Sequence, residues 1–440
     1  MLRLDSAGRR FSVSLLALLI ALTLAWLIIK PFIAHIGLKE TSSLKQFSRA
    51  LSYDNNNPSH HYRIGLHRYY DPAGRDLNLA LKSYLTAIGL SPANGVYWIG
   101  LSKALESTGN LKTSSSALDR AIRLNPSYAK PLWMKVNLLL SRGKTLEALH
   151  VLNHIIEVLP VERSRAFSVL HMTTHDDVEL ILEVGLPREQ GAIEGYLKFL
   201  MLKKDTPGVT LAWKALSNGF EIRRPLALKY IDYLVSADEI REARRFLDSY
   251  EGRDAGTEEL ILNGGFETQI CDNPFCWKTG RIEGALIRID ENEYYQGKRS
   301  LKIEFDGKSN VNFSQLFKVV PLEPGSPYVL SAHVKSEDIT TTNGVFMELF
   351  GIGDCRFYSR SKAMAKTSDW TLLRIETTTP PECGGGRVRF RRLKSEKIDN
   401  LISGALWIDS VSLSKASTAS EKAPDVPAVA GGGEGAGGAR

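Results

Sequence analysis

The chain has 440 residues and a formal net charge of +7, from 56 Lys and Arg against 49 Asp and Glu. That length allows two or three domains, each with its own core. The positive excess is spread out, with no block of like charge long enough to form a nucleic-acid-binding tail, so no nucleic-acid partner is expected. All four cysteines, Cys271, Cys276, Cys355 and Cys383, follow residue 260. An even number confined to one segment predicts two disulfides, Cys271–Cys276 and Cys355–Cys383, in an oxidising compartment. A zinc site is the alternative. It finds little support, because there is no Cys-x-x-Cys pair and His333 is the one histidine after residue 260.

In chain order, residues 1–10 form a short head, expected in the cytoplasm, and residues 11–30 an expected transmembrane signal-anchor. The run Phe11 to Ile29 carries no charge and is flanked by Arg9, Arg10 and Lys30. As a helix it would measure about 28 Å, close to the ~30 Å hydrocarbon core of a bilayer. A cleaved signal peptide is the rival reading, although the run exceeds the usual apolar length of ~7–15 residues and no small-x-small cleavage site follows promptly. Lys30, Lys39 and Lys45 on the far side weaken the positive-inside argument. The cysteines decide the orientation, placing the bulk of the chain outside the cytoplasm, in the periplasm for a bacterial inner-membrane protein.

Residues 40–252 read as helical. Pro58, Pro92, Pro126 and Pro160 are separated by 34 residues, as are Gly109 and Gly143, and Ala87 and Ala121. In one unit Trp98, Leu101 and Leu105 mark the buried face of a first helix, Gly109 the turn, Leu118 and Ala121 the second helix, and Pro126 its stop. The next unit offers Leu132, Leu139, Gly143, Ala148, Leu152 and Pro160, and the preceding one Ala80, Tyr84, Ala87 and Pro92. A 34-residue period ending in Pro resembles the tetratricopeptide repeat, which implies a helix-turn-helix superhelix that binds a peptide or protein partner. Ser102 and Ser114 depart from that pattern, standing where the family prefers Gly and Ala. Beyond residue 161 the register fades while helices persist. His150 with His154, and His171 with His175, share the i, i+4 spacing, but no zincin Glu intervenes, so packing or solvent-exposed roles are expected.

After a short linker, residues 258–415 turn to β-branched and aromatic runs punctuated by Gly, Pro, Asn and Asp. About nine strands are expected, beginning with Leu260–Glu267, and they indicate an antiparallel sandwich. The landmarks Asn263-Gly-Gly-Phe-Glu267, Trp277, Gly297–Ile303, Pro324–Lys335, Trp370 and Ala405–Leu413 occur in order. In that order they resemble the jelly-roll carbohydrate-binding modules of the family 4/9 type. The resemblance implies a structural Ca²⁺, carried over to Glu267 and Asp409, with a plain ladder role as the alternative. It also implies that Trp277, Trp370 and Trp407 serve the core.

Alternation supplies a candidate ligand surface. Val388 and Phe390 are expected to point inward, which leaves Arg387, Arg389 and Arg391 outward. Val345, Met347 and Leu349 likewise oppose Phe346, Glu348 and Phe350. If the outward sets share one sheet they form a groove for a glycan, and the paired donors of arginine suit an acidic polysaccharide. The alternative is a solvated cationic strand. Residues 416–440, rich in Ala, Gly and Pro, are expected to be a disordered tail.

The sequence thus predicts a multidomain chain: an N-terminal transmembrane helix, an all-α tetratricopeptide-like superhelix, then an all-β jelly-roll sandwich. The expected role is binding and scaffolding in cell-envelope polysaccharide assembly or export. The alternative is an assembly scaffold in which both domains make protein contacts. An enzyme is not expected, since no convincing catalytic carboxylate pair lies outside the module.

Overall fold

The computed structural model describes residues 7–35, 43–253, 260–269 and 271–416. Most of the expected head, the linker after Arg253 and the expected tail beyond Ala416 lie outside the described residues. The chain divides into two compact units, 1–221 and 222–440.

The described residues of the first unit are helices joined by short turns. It comprises α1 (Ala7–His35), α2 (Leu44–Tyr53), α3 (Pro58–Tyr70), α4 (Leu77–Leu90), α5 (Gly95–Ser107), α6 (Leu111–Leu124), α7 (Ala129–Leu140), α8 (Thr145–Val158), α9 (Arg163–Thr174), the single turn α10 (Val178–Leu180), α11 (Gln190–Lys203) and α12 (Thr206–Gly219). Phe11–Lys30 within α1 is the one stretch, among the described residues, long and apolar enough to cross a membrane, and it buries none of its length. Short polar side chains start the repeat helices: Asn57, Asp76, Asn94 and Asn110 each accept a main-chain N–H from the first turn, satisfying a donor the helix leaves free. Gly109 and Gly143 turn the chain between paired helices with φ of +81° and +68°. Nothing lies within 4 Å of where a Cβ would stand at either, so backbone angle rather than crowding requires glycine there.

The expected repeat positions are core positions. Ala80, Tyr84, Ala87, Leu118, Ala121, Leu132, Leu139, Ala148 and Leu152 are all buried, and each large apolar side chain contributes about 1.5–3 kcal/mol. Trp98 and Leu105 are only partly buried and pack at the margin of that core. The Tyr84 ring fills the space left by Gly65 of α3 and Gly100 of α5, where added Cβ atoms would stand 2.6 and 2.7 Å from it. The departures at Ser102 and Ser114 compensate each other: both are fully buried, their hydroxyls lie 2.9 Å apart, and Ser114 Oγ donates to Ser102 O at 3.0 Å. His171 is likewise a packed histidine, 2.7 Å from Asp176 and 2.9 Å from the Tyr196 hydroxyl.

Among its described residues the second unit starts with α13 (Arg224–Ser236) and α14 (Ile240–Tyr250) and continues through ten strands: β1 (Lys278–Thr279), β2 (Ala285–Asp290), β3 (Ser300–Asp306), β4 (Phe313–Pro321), β5 (Pro327–Ile339), β6 (Phe346–Gly351), β7 (Tyr358–Arg360), β8 (Lys366–Thr378), β9 (Gly385–Arg392) and β10 (Ser403–Lys415). They form two five-stranded antiparallel sheets, ordered β1-β4-β9-β6-β7 and β2-β3-β10-β5-β8. Between them lies an apolar core that includes Trp277, Leu301, Phe313, Leu330, Met347, Phe390 and Ile408. Cys271–Cys276 and Cys355–Cys383 are bonded, as the spacing predicts.

Three sequence expectations change here. Leu260–Glu267 is not a strand: Asn263 and Phe266 have φ of 55° and 57°, and a Cβ on Gly264 would stand 1.9 Å from Val411 O. This opening stretch is a tight loop pressed on β10, held by Asn263 bonds to Thr268 N and O. The helix pair α13–α14, read from the sequence as the end of the helical part, belongs to the unit that holds the sheets. Ile240 is fully buried and seats on Gly385 of β9, while Asp238 accepts the Asp354 N–H at 3.2 Å. Finally, only Trp277 of the three tryptophans lies between the sheets. Trp407 is buried, and Trp370 half-buried, on the outward face of the second sheet, because each alternates with an inward neighbour (Leu406, Ile408; Thr371, Leu373).

Candidate functional site

Register brings the predicted groove residues together on the outward face of the first sheet. Across β6 and β9, Phe346 faces Arg391, Glu348 faces Arg389, and Phe350 faces Arg387. Their sequence neighbours Met347, Leu349, Val388 and Phe390 are buried in the core, so the alternation sets the six outward side chains on one surface. Flanking strands add residues that the sequence reading did not include. On β7, Arg360 lies opposite Glu348 and Tyr358 opposite Phe350; on β4, Phe317 lies opposite Arg389.

Aromatic rings and guanidiniums interleave. Arg389 sits 4.6 Å over Phe350, Arg387 4.7 Å over Phe317, and Arg360 5.3 Å over Phe346. Glu348, fully buried, is the counter-ion at the centre. Its Oε1 accepts from Arg389 Nε and lies 3.9 Å from Arg391, and its Oε2 accepts the Tyr358 hydroxyl at 3.0 Å. Burial, then the bond to Glu348, pushes the Tyr358 phenol up. Burial, then the neighbouring Arg389, pushes Arg387 down from its ordinary value. Four arginines against one carboxylate leave the face with a net +3. Arg387 Nε and Arg391 Nε are buried without a hydrogen-bond partner, a state that costs stability.

A cavity of about 550 Å³ adjoins this face at the β1–β4 edge, lined by Lys278, Gln315, Phe317 and Val319 and by Asp232 of α13. Burial pushes the Asp232 carboxyl up. Phe317 was legible in principle, since Gln315, Phe317 and Val319 alternate with Leu316, Lys318 and Val320. The inward lysine reversed the polarity of that pattern: Lys318 is almost wholly buried and donates to Leu262 O at 2.8 Å. Arg360 and Tyr358 sit on a three-residue strand too short to show a period.

Glu267 and Asp409 do converge, on the turn 295–299. Asp409, fully buried, accepts Tyr295 N at 2.8 Å and Gln296 N at 3.0 Å. Glu267 accepts Lys298 N at 2.9 Å and Arg299 N at 3.2 Å. Main-chain N–H groups thus point at both carboxylates, where a calcium cage needs oxygen ligands. Among the described residues no group of three or more His, Cys, Asp or Glu is placed to hold a metal ion. The donor set fits a turn latch better than a calcium cage.

In the first unit, surface cavities of about 300 Å³ and 450 Å³ are lined by Arg63, Leu66 and Tyr70, and by Val96, Leu124 and Tyr128. Both carry exposed apolar side chains among polar ones.

No protein-family model matches the chain. The tRNA(Glu)-specific nuclease WapA of Bacillus subtilis subsp. natto (strain BEST195) is 28% identical over 180 residues, covering 39% of this chain and 7% of WapA. The chain spans less than a tenth of the length of the curated relatives it matches. Similar solved structures include both repeat proteins and carbohydrate-binding modules. YrrB, a TPR protein with an unusual peptide-binding site, is 14% identical, with 43% of this chain and 98% of YrrB covered and a TM-score of 0.28. A CBM4 structure is 16% identical, with 36% and 99% covered and a TM-score of 0.26.

Proposed function

We propose that this chain is a membrane-anchored, extracytoplasmic binding and scaffold protein. Its first sheet holds an acidic polysaccharide and its helical repeats hold a protein partner, in the assembly or export of a cell-envelope polysaccharide. One observation carries the glycan part. An outward face with a net +3 interleaves the part-exposed Phe317 and Phe350 rings with Arg387 and Arg389, and Arg389 and Arg391 keep 18% and 29% of their side chains open to solvent. Carboxylates of a uronic-acid polymer would pair with the solvent-reached N–H groups of these guanidiniums, and the part-exposed Phe317 and Phe350 rings would meet the apolar faces of the sugars. Nothing in the proposal requires catalysis; it is a binder. The apolar helix supports the anchor, and the two disulfides support an oxidising side of the membrane.

The test is binding of the full chain to polygalacturonate and to a neutral glucan, with wild type and Arg387→Gln/Arg391→Gln. Arg389 is left in place because Glu348 depends on it. The wild type is expected to prefer the acidic polymer, with affinity falling steeply in salt, and the double variant to lose that preference. Equal binding by both proteins would reject the site. A second reading, that this face docks a protein, draws on α14, which already seats on Gly385 at one end of the same sheet. Under it polygalacturonate does not bind. The anchor is tested by a carbonate wash of membranes, which a spanning helix survives; a soluble form beginning shortly after Ile36 would show cleavage instead.

A further inference from the structure

The opposite face of the sandwich carries an aromatic cluster that the groove does not use. Tyr295, in the turn between β2 and β3, lies flat on His333 of β5, with ring centroids 3.6 Å apart and planes within 9°. The turn is fixed from below, because Tyr295 N and Gln296 N both donate to the buried Asp409. Burial pushes the His333 imidazole below its ordinary value, so near neutral pH the stack is ring on uncharged ring. Trp370 stands 5.9 Å from Tyr295 at 58°, making the second wall of a corner. Its indole N–H donates to Glu293 Oε1 at 3.2 Å, and Glu293 Oε2 pairs with Lys335 at 3.0 Å. Tyr295 remains 47% exposed and the adjoining Leu372 49%.

Two rings locked from behind, open in front and rimmed by a carboxylate and an ammonium suit one kind of ligand. A pyranose has an apolar C–H face to lay on a ring and hydroxyls around its edge to meet Glu293 and Lys335. A protein partner fits less well, since a stable interface buries about 800 Å² on each side, whereas two half-open rings and a leucine offer roughly a quarter of that. The two charges of the rim cancel, so the ligand is neutral, in contrast to the cationic groove. We propose that Tyr295 and Trp370 form a second saccharide-binding platform, for neutral sugars, on the face of the second sheet turned away from the arginines. A chain with both sites would cross-link two polysaccharides, or two segments of one.

The experiment titrates the full chain with a panel of neutral gluco-, manno-, xylo- and galacto-oligosaccharides, read by tryptophan fluorescence and calorimetry. At least one class should bind with an affinity indifferent to salt. Tyr295→Ala and Trp370→Ala should each weaken it about tenfold, the scale of one lost ring contact. Tyr295→Phe should keep the affinity, separating loss of the ring surface from loss of the turn. Arg387→Gln/Arg391→Gln should leave it unchanged, which keeps this platform distinct from the acidic-glycan groove. No binding by any member of the panel would overturn the proposal, as would neutral-sugar binding that survives Tyr295→Ala or is lost with the arginines.

Discussion

Replacing Arg389 by Gln tests whether the arginine strand is a solvated surface or part of a buried charge network. A solvated face would tolerate the change within about 0.5 kcal/mol. In the structure Arg389 is the closest cation to the fully buried Glu348 carboxylate, with Arg391 at 3.9 Å and the Tyr358 hydroxyl at 3.0 Å. Breaking one side of a buried pair costs about 3–5 kcal/mol because it strands the other charge. The Arg389 side chain keeps some solvent contact, with 18% of its surface exposed, and Arg391 is placed to compensate in part, so the lower end of the range, about 3 kcal/mol, is the working figure. For a unit of this size that lowers the midpoint of its thermal transition by about 6–12 °C. The double variant Arg389→Gln/Glu348→Gln removes both charges and should recover most of the loss, giving a coupling energy of about 2–3 kcal/mol. Calorimetry of the four proteins of the cycle reads this, following the transition of the sheet-bearing unit. An Arg389→Gln protein that melts with the wild type would refute the network, and so would a double variant no more stable than the single.

Other consequences are simpler to check. Non-reducing peptide mapping should find Cys271 joined to Cys276 and Cys355 to Cys383; in the chain-entropy model, Ser substitution of the first pair costs ~2 kcal/mol and of the second ~3.5 kcal/mol. Glu304, held down to about 2 by Arg288 and then Lys302, contributes stability that is present above its ordinary value of 4.5 and lost as pH falls through about 2. Stability curves of Glu304→Gln and wild type should therefore converge in that window, by a small amount because the pair is half solvated. Gly100→Ala should destabilise the helical unit by about 1–3 kcal/mol through the Tyr84 ring, whereas Gly89→Ala, with open space around it, should stabilise by about 0.5–1 kcal/mol in urea melts. Glu267→Ala should lower the melting temperature by releasing the 298–299 amides; a chelator should leave the wild type unchanged if the latch acts alone, and a chelator-sensitive wild type would establish calcium there.

What the sequence determined by itself was whatever repeats over short distances. The 34-residue period set the helical repeats, because each unit packs mainly on its neighbours and must reuse the same small and large residues. The two-residue alternation of β6 and β9 set Arg387, Arg389, Arg391, Phe346, Glu348 and Phe350 on one side of their strands, because a pleat admits no other choice once Val388 and Met347 are buried. Cysteine spacing set both disulfides. The tertiary structure alone decided which strands are neighbours. The order β1-β4-β9-β6-β7 brings Phe317 and Arg360 beside the arginines from distant positions in the chain, and that order follows from how two sheets close over one core. It also turned Lys318 inward, where a carbonyl and the Trp277 ring receive its charge, and made Arg389 a counter-ion instead of a surface cation. Trp370 and Trp407 ended on the outward face for the same reason. A tryptophan's alternation says only that it lies opposite its neighbours, and which side is the core is fixed by the other sheet.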